Sequence, residues 1–335
     1  MPRFQNWEPQ EKPSALWDLI KWKFTTRPVP WPKKVENLCK PQLPAVIDKE
    51  EVFSTFINHS TLLIQLEKLN ILTDPIFSKV AGPFSLLGPR RVRPPGLTLA
   101  ELPKIDVVLI SHNHYDHLDL PSVKALWKKD QPLFIVPLGN KKYLKSHGIR
   151  NIVELEWWQE HSLHADASIT LTPARHWSKR TLWDSCKALW GGFLVRSHSL
   201  KIFFAGDTSY STHFQKIREK YGKMDLSFLP IGAYEPRWFM KAFHMNPAEA
   251  VQAHLDLESR LSIGIHFGTF RLTDEGIDDP VRHLNEGLSH AQLTDDVFIA
   301  PEHGQTMYYA TATLLERKLA KKHLRYLRTS YQLDT

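Results

Sequence analysis

Thiols are nearly absent from this chain. Only Cys39 and Cys186 occur among 335 residues, far apart and in neither a ligand nor a redox spacing. That excludes a thiolate metal site and fits a reducing compartment. Long hydrophobic runs are also missing, and none approaches the roughly 18 apolar residues of a membrane span. The opening, Met1-Pro-Arg-Phe-Gln-Asn-Trp-Glu, does not read as a signal peptide. The expected location is therefore cytoplasmic, with contact at a membrane surface left open. There is no repeat at solenoid periods and no low-complexity linker. Charge of one sign is in modest excess, at +7, which favours anionic partners without selecting one. No separate nucleic-acid module stands out, and nucleic acid is not an expected partner. What remains is ordinary globular composition, 42% hydrophobic and 24% charged, long enough for one large domain or two small ones.

The stretch that stands out is Ser111-His112-Asn113-His114-Tyr115-Asp116-His117-Leu118-Asp119, with five metal-capable side chains in eight residues. It follows Ile105-Asp-Val-Val-Leu-Ile110, a run apolar and β-branched enough for a strand covered on both faces. The histidines therefore sit at the carboxyl end of a core strand, where an α/β sheet opens its ligand crevice. Alternation along extended backbone sends His112, His114 and Asp116 to one side, and a turn into a helix near Pro121 brings His117 round. Imidazole and carboxylate suit zinc and its borderline-soft neighbours. A merely solvated loop has no reason to follow so apolar a strand.

Residues 1–45 form an arm rich in Trp (Trp7, Trp17, Trp22, Trp31) and Pro. Its segment from Ser14 to Phe24 has near-helical apolar spacing with lysines on the flank. Two readings stand: a helix lying on a membrane surface, or one packed on the rest of the chain. Residues 46–310 follow as the main domain and 311–335 as a basic helix and tail. Short strands are expected over 52–57, 62–66 and 70–73, with His59 in the first turn and Asp74 ending the third. Residues 84–95 read as a long ordered loop whose Arg90, Arg91 and Arg93 have the charge to meet a phosphate. Helices are expected over 121–129, 140–147, 211–221 and 247–258. They alternate with strands over 133–137, 152–156, 168–174, 189–196, 201–205, 224–231, 261–267 and 297–300. The architecture this favours is α/β, two mixed sheets packed face to face with helices outside.

Three more polar residues sit at strand ends: His176, Asp207 after Gly206, and His266. Singly, each is more often a structural residue; together, downstream of the histidine run, they point to a site. His112-x-His114-x-Asp116-His117 with His176, Asp207 and His266 matches the seven-ligand pattern of the metallo-β-lactamase superfamily. Within it, the chain resembles the N-acyl-phosphatidylethanolamine-hydrolysing phospholipase D family. Leu155-Glu-Trp-Trp, His176-Trp-Ser-Lys-Arg-Thr-Leu and Phe203-Phe-Ala-Gly-Asp-Thr are similar to that family. The block Pro230-Ile-Gly-Ala-Tyr-Glu-Pro-Arg-Trp-Phe-Met-Lys241 narrows the resemblance to this branch. It covers roughly residues 50 to 306, with Asn58 standing where the family usually carries glycine.

The resemblance implies a four-layer αββα sandwich and two Zn2+ per chain. His112, His114 and His176 would hold one ion, and Asp116, His117 and His266 the other, with Asp207 between them. It further implies a metal-bridging hydroxide attacking an N-acyl-phosphatidylethanolamine-like phospholipid, giving phosphatidic acid and N-acylethanolamine. Asp74 and His59 are candidates to orient the ligands. His244 is a candidate to polarise the phosphate or protonate the leaving oxygen, or alternatively to cap the helix that follows. The catalytic set is thus Asp116, Asp207 and His244. A lactonase, a sugar-phosphate hydrolase and a non-catalytic metal scaffold are the competing readings, and the oligomeric state is open, a dimer included.

Overall fold

The computed structural model describes residues 3–8, 15–83, 86–164, 166–198 and 200–311. After α1 (Ala15–Thr25), the first half runs β1 (Glu51–Asn58), β2 (Thr61–Leu66), β3 (Leu69–Thr73), β4 (Val107–Leu109), α2 (Leu120–Asp130), β5 (Leu133–Pro137), α3 (Lys141–Ser146) and β6 (Ile152–Leu155). The second half begins with β7 (Glu160–His164), β8 (Ala167–Thr172), β9 (Gly192–Ser197), β10 (Leu200–Phe204), α4 (His213–Tyr221) and β11 (Leu226–Pro230). It ends with α5 (Arg237–Met240), α6 (Pro247–Asp256), β12 (Leu261–Ile265), α7 (Asp279–His290), β13 (Phe298–Ile299) and β14 (Thr306–Ala310).

These strands form two mixed seven-stranded sheets, ordered β14-β1-β2-β3-β4-β5-β6 and β13-β12-β11-β10-β9-β8-β7. The period-2 rule shows why both faces of the first sheet are apolar. Val107, Leu109, Ile135 and Ile71 point inward, into one cluster with Ile169, Phe193 and Val195 of the second sheet. Their alternates Val108, Ile110, Phe134 and Leu72 point outward, against Val123 and Leu126 of α2 and Leu144 of α3. On the other side, Phe214 and Ile217 of α4, Val251 of α6 and Leu284 and Leu288 of α7 close the core. The layers are helix, sheet, sheet, helix, as expected for the α/β sandwich.

Parallel pairing holds at β3-β4-β5-β6 and β10-β11-β12-β13, so the carboxyl ends of those strands open at one edge of the sandwich. The strands β7 and β14 and the helices α5 and α7 are additions to the sequence reading. The strand expected over 261–267 stops at Ile265, because His266 takes left-handed backbone (φ 63°). The helix expected at 311–335 lies outside the described residues, apart from Thr311. No described helix is long and apolar enough to cross a membrane.

Candidate metal centre

Beyond β4 the chain leaves the sheet at Ser111 and makes a turn in which the His117 and Leu118 amides donate to the His114 carbonyl, at 3.2 and 2.8 Å. α2 then begins at Leu120. Asp207 arrives from β10 across Gly206, whose φ is 61° and whose absent side chain matters: a Cβ there would lie 2.5 Å from Ser111 Cβ. Glycine at this position lets the Asp207 loop lie directly on the histidine loop. His266 comes from the end of β12, where its amide donates to the His59 carbonyl at 2.7 Å. The β1–β2 turn is thereby fastened to the second sheet. His59, and not Asn58, carries the left-handed φ (49°) of that turn, so Asn58 needs none of glycine's freedom.

Asp207 Oδ2 is the focus of the arrangement. It lies 3.1 Å from both His117 Nε2 and His266 Nε2, 3.9 Å from His112 Nε2 and His176 Nε2, and 4.0 Å from His244 Nε2. Two groups of donors flank it. His112 Nε2 is 2.8 Å from His114 Nδ1, which is 3.3 Å from His176 Nε2. On the other side, Asp116 Oδ2 is 3.4 Å from His117 Nε2 and 3.6 Å from His266 Nε2. Either group offers three ligand atoms close enough to share one cation. All seven residues singled out in the sequence meet here, and His244 joins them. His244 does not cap α6; Asn246 does, in a reciprocal capping box with Glu249.

A second ring of contacts orients these side chains. Asp74, fully buried, accepts from the Ser111 amide (2.7 Å), the Ser111 hydroxyl (2.6 Å) and His117 Nδ1 (2.7 Å). A carboxylate only accepts, so His117 Nδ1 carries a proton toward Asp74, and its Nε2 is turned toward Asp207. His59 Nε2 sits 3.0 Å from Asp116 Oδ2 and holds that carboxylate in place. His176 Nδ1 donates to the Phe243 carbonyl at 3.0 Å, which leaves its Nε2 facing the centre.

Electrostatics separate the two groups. Burial first, and then mutual repulsion, keeps His112 well below the usual imidazole range and His114 at about 3. Burial likewise lowers His176 to about 4, against the pull of Asp207. These rings are neutral with lone pairs available. Burial also opposes charge on His266 and His117, but the carboxylates outweigh it, holding His266 up at about 9 and His117 well above its usual value. Buried atoms without a hydrogen-bond partner among the described residues include His114 Nε2, Asp207 Oδ1 and both His266 nitrogens. Leaving such atoms unpaired is costly. Five imidazoles and two carboxylates, converging in this way, fit divalent cations of the zinc type.

The centre forms the floor of a cavity of about 460 Å³. Its walls are apolar, with Leu19 and Trp22 of α1 facing Trp177, Phe239, Phe243 and Leu272, and Lys179 is the cation among its lining residues. The sequence reading left this helix between a membrane surface and packing on the rest of the chain, and for Trp22 the second holds. Trp22 lines the cavity, lies against Phe239 with the rings tilted (centroids 5.2 Å apart) and donates from Nε1 to Asp274 at 2.7 Å. The arginines of the 84–95 loop do not line the cavity. Arg91 spends its guanidinium on the Ser78 and Ile76 carbonyls.

The profile of the beta-lactamase superfamily domain matches residues 69–267. N-acyl-phosphatidylethanolamine-hydrolyzing phospholipase D 1 of Caenorhabditis elegans is 36% identical over 318 residues, which is 90% of this chain and 89% of that protein. The chain belongs to the N-acyl-phosphatidylethanolamine-hydrolyzing phospholipase D family. A second member of the family, the mitochondrial protein of Saccharomyces cerevisiae, is 39% identical over 82% of this chain and 61% of its own length. Among solved structures, Igni18, a metallo hydrolase of Ignicoccus hospitalis, superposes with a TM-score of 0.58 at 21% identity. It covers 78% of this chain and 99% of its own. That likeness speaks to the fold. Family and fold together make the protein a metal-dependent hydrolase with the metallo-β-lactamase architecture.

Proposed function

We propose that the protein is a binuclear zinc phosphodiesterase of phospholipase D type, cleaving N-acyl-phosphatidylethanolamine-like lipids to phosphatidic acid and N-acylethanolamine. The observation that carries this reading is the convergence of two three-donor groups on Asp207 at the floor of an apolar-walled cavity. His112, His114 and His176 would hold one ion, Asp116, His117 and His266 the other, and Asp207 both. Such a pair supplies a hydroxide nucleophile near neutral pH and Lewis-acid stabilisation of phosphoryl oxygens. The rest falls to the chain's own residues. Trp22, Phe239, Phe243 and Leu272 take the acyl chains out of water, while Lys179 attracts the phosphate. Attack by the oxygen of a water would form a new P–O bond in phosphatidic acid and break the bond to the ethanolamine oxygen, which leaves as the alcohol with the proton that the water gave up. His244 is held well below the usual imidazole range, chiefly by burial, so it is neutral at rest. That suits hydrogen bonding to a phosphoryl oxygen better than general acid work.

Lactones and sugar phosphates need neither the apolar walls nor a long cleft. A panel of N-acyl-phosphatidylethanolamine, lactones, sugar phosphates and single-stranded RNA, each turned over by zinc-loaded protein, tests the assignment. Turnover of the lipid should exceed that of the others by orders of magnitude. Comparable turnover of a lactone, or none of the lipid, contradicts it.

Peripheral membrane contact is part of the same proposal. Trp17 is 74% and Phe24 85% exposed on α1, and Leu182 and Trp183 are each 79% exposed. The last two sit on the same loop as the cavity-lining Lys179 and Ser185. Burying apolar area contributes about 25 cal/mol per Å², so two aromatics entering the interface would supply about 2–4 kcal/mol. Lys21 and Lys23 would add roughly 1 kcal/mol each on anionic lipid, an attraction that salt weakens. The pair Trp17→Ala with Phe24→Ala should raise the apparent KM on vesicles by about tenfold or more. It should hardly change hydrolysis of a short-chain soluble analogue. Equal loss on both substrates would instead mark these side chains as packing.

A further inference from the structure

The arm begins with a contact that neither the fold nor membrane attachment requires. Asn6 Oδ1 accepts from the backbone amide of His176 at 3.1 Å and from the indole Nε1–H of Trp190 at 3.0 Å. Both partners are buried, at 1% and 2% exposure. Flanking residues fix the segment. The Phe4 amide donates to the Cys186 carbonyl at 2.8 Å, and the Trp7 ring rests against Trp157 and Trp158, with centroids 6.3 and 5.9 Å apart. Trp190 shares its N–H with the Ala174 carbonyl, also at 3.0 Å, so it keeps a partner without Asn6.

Two hydrogen bonds hold His176 itself, beside a neighbour, Arg175, whose amide donates to Thr208 Oγ1 and whose carbonyl accepts from the Ser209 amide, each at 2.9 Å. The His176 ring is held through Nδ1 by the Phe243 carbonyl, and its backbone by Asn6. Without Asn6 the buried His176 amide would lose its acceptor, and the peptide could tilt about the Arg175 contacts, which shifts Nε2 relative to His114 and Asp207. We infer that Asn6 is a positioning residue for the metal centre: the first described stretch of the chain sets the geometry of His176. This rests on the metal-dependent reading above, with His176 as a ligand. Asparagine suits the task because one short side chain presents an oxygen that can accept from two N–H groups. Outer partners that orient a ligand commonly change metal affinity by about 10–100-fold when lost.

The test uses the full chain with Asn6→Leu, which keeps the volume and removes the acceptor, and Asn6→Asp, which keeps the acceptor oxygen. A third variant, Phe4→Ala, loosens the packing of the segment while leaving the His176 contact intact. Each protein is loaded with zinc for chelator-driven release and with cobalt for the visible ligand-field spectrum. Melting of the metal-free forms serves as the structural control. Asn6→Leu should release metal at least about tenfold faster and shift the cobalt bands, with metal-free melting close to the parent's. Asn6→Asp should restore release to within about threefold. Parental release and spectrum in Asn6→Leu would overturn the inference alone. So would loss in Asn6→Asp or Phe4→Ala as large as that in Asn6→Leu, since the contact would then be packing. A parent chain that binds neither zinc nor cobalt would overturn the metal reading as well, so the two failures are distinguishable.

Discussion

Asp207→Asn should lose turnover by at least roughly a thousandfold, about 4 kcal/mol, together with at least one of two bound ions. The reason is the place of a single oxygen. Asp207 Oδ2 stands within 4.0 Å of five imidazole nitrogens, belonging to His112, His117, His176, His244 and His266. Burial alone would raise the carboxyl's pKa, but His117 and His266 outweigh it and hold the group well below the usual carboxylate range. It is therefore charged, and in the proposed centre that charge would make two cations near each other tolerable. Asparagine has the same shape without the charge, so a structural explanation for the loss is weak. Metal analysis beside the kinetic assay checks the claim. Near-normal turnover with both ions retained would remove Asp207 from the proposed role.

Stripping the metal should abolish turnover and lower the melting temperature. Buried nitrogens of His114, His117 and His266 have no hydrogen-bond partner among the described residues, and three carboxylates crowd His117. A cation bound by the folded state alone stabilises it by RT ln(1 + [L]/Kd), about 4 kcal/mol at a thousandfold excess over Kd. For a chain of this size, whose unfolding entropy is about 0.7 kcal/mol/K, that corresponds to a fall of roughly 6 °C on chelation. Scanning calorimetry with and without a strong chelator measures it, and re-addition of zinc should restore both the melting point and the activity. An unchanged melting point with full activity after chelation would contradict a metal-dependent centre.

What could be read beforehand follows from how local the physical signal is. The loop from His112 to His117 was legible because an apolar run, Ile105 to Ile110, announces a core strand, and the polar side chains begin where it ends. His176, Asp207 and His266 were legible for the same reason, each following a strand. Pairings across long sequence separations leave no such trace. β14 pairs with β1 some 250 residues away, with Ala310 opposite Glu51, and its mixed Thr-Met-Tyr-Tyr-Ala pattern does not declare a strand. α7 does carry a local signal, Pro280 in its first turn and Leu284, Gly287 and Leu288 at helical spacing, and only Gly287 speaks against a helix there. Trp17 and Trp22 look alike in sequence. Only the tertiary fold turns Trp22 onto Asp274 and into the cavity while leaving Trp17 in solvent.

The cavity walls are the clearest case of what pattern could not supply. Leu19, Phe239 and Leu272 come from three separate segments, and each could be ordinary core. Their meeting above the histidines depends on α1 folding back across the sandwich, which the arm's proline-rich composition does not specify. The Asn6 contact is invisible for the same reason, since it joins residues 170 positions apart.

The most direct measurement of the central claim is hydrolysis of N-acyl-phosphatidylethanolamine in ¹⁸O-labelled water, with both products analysed by mass. Attack at phosphorus, with fission of the bond to the ethanolamine oxygen, places one labelled oxygen in phosphatidic acid and none in N-acylethanolamine. That is the predicted result. Label in the N-acylethanolamine, or release of free fatty acid in place of these products, would contradict a phosphodiesterase built on this centre.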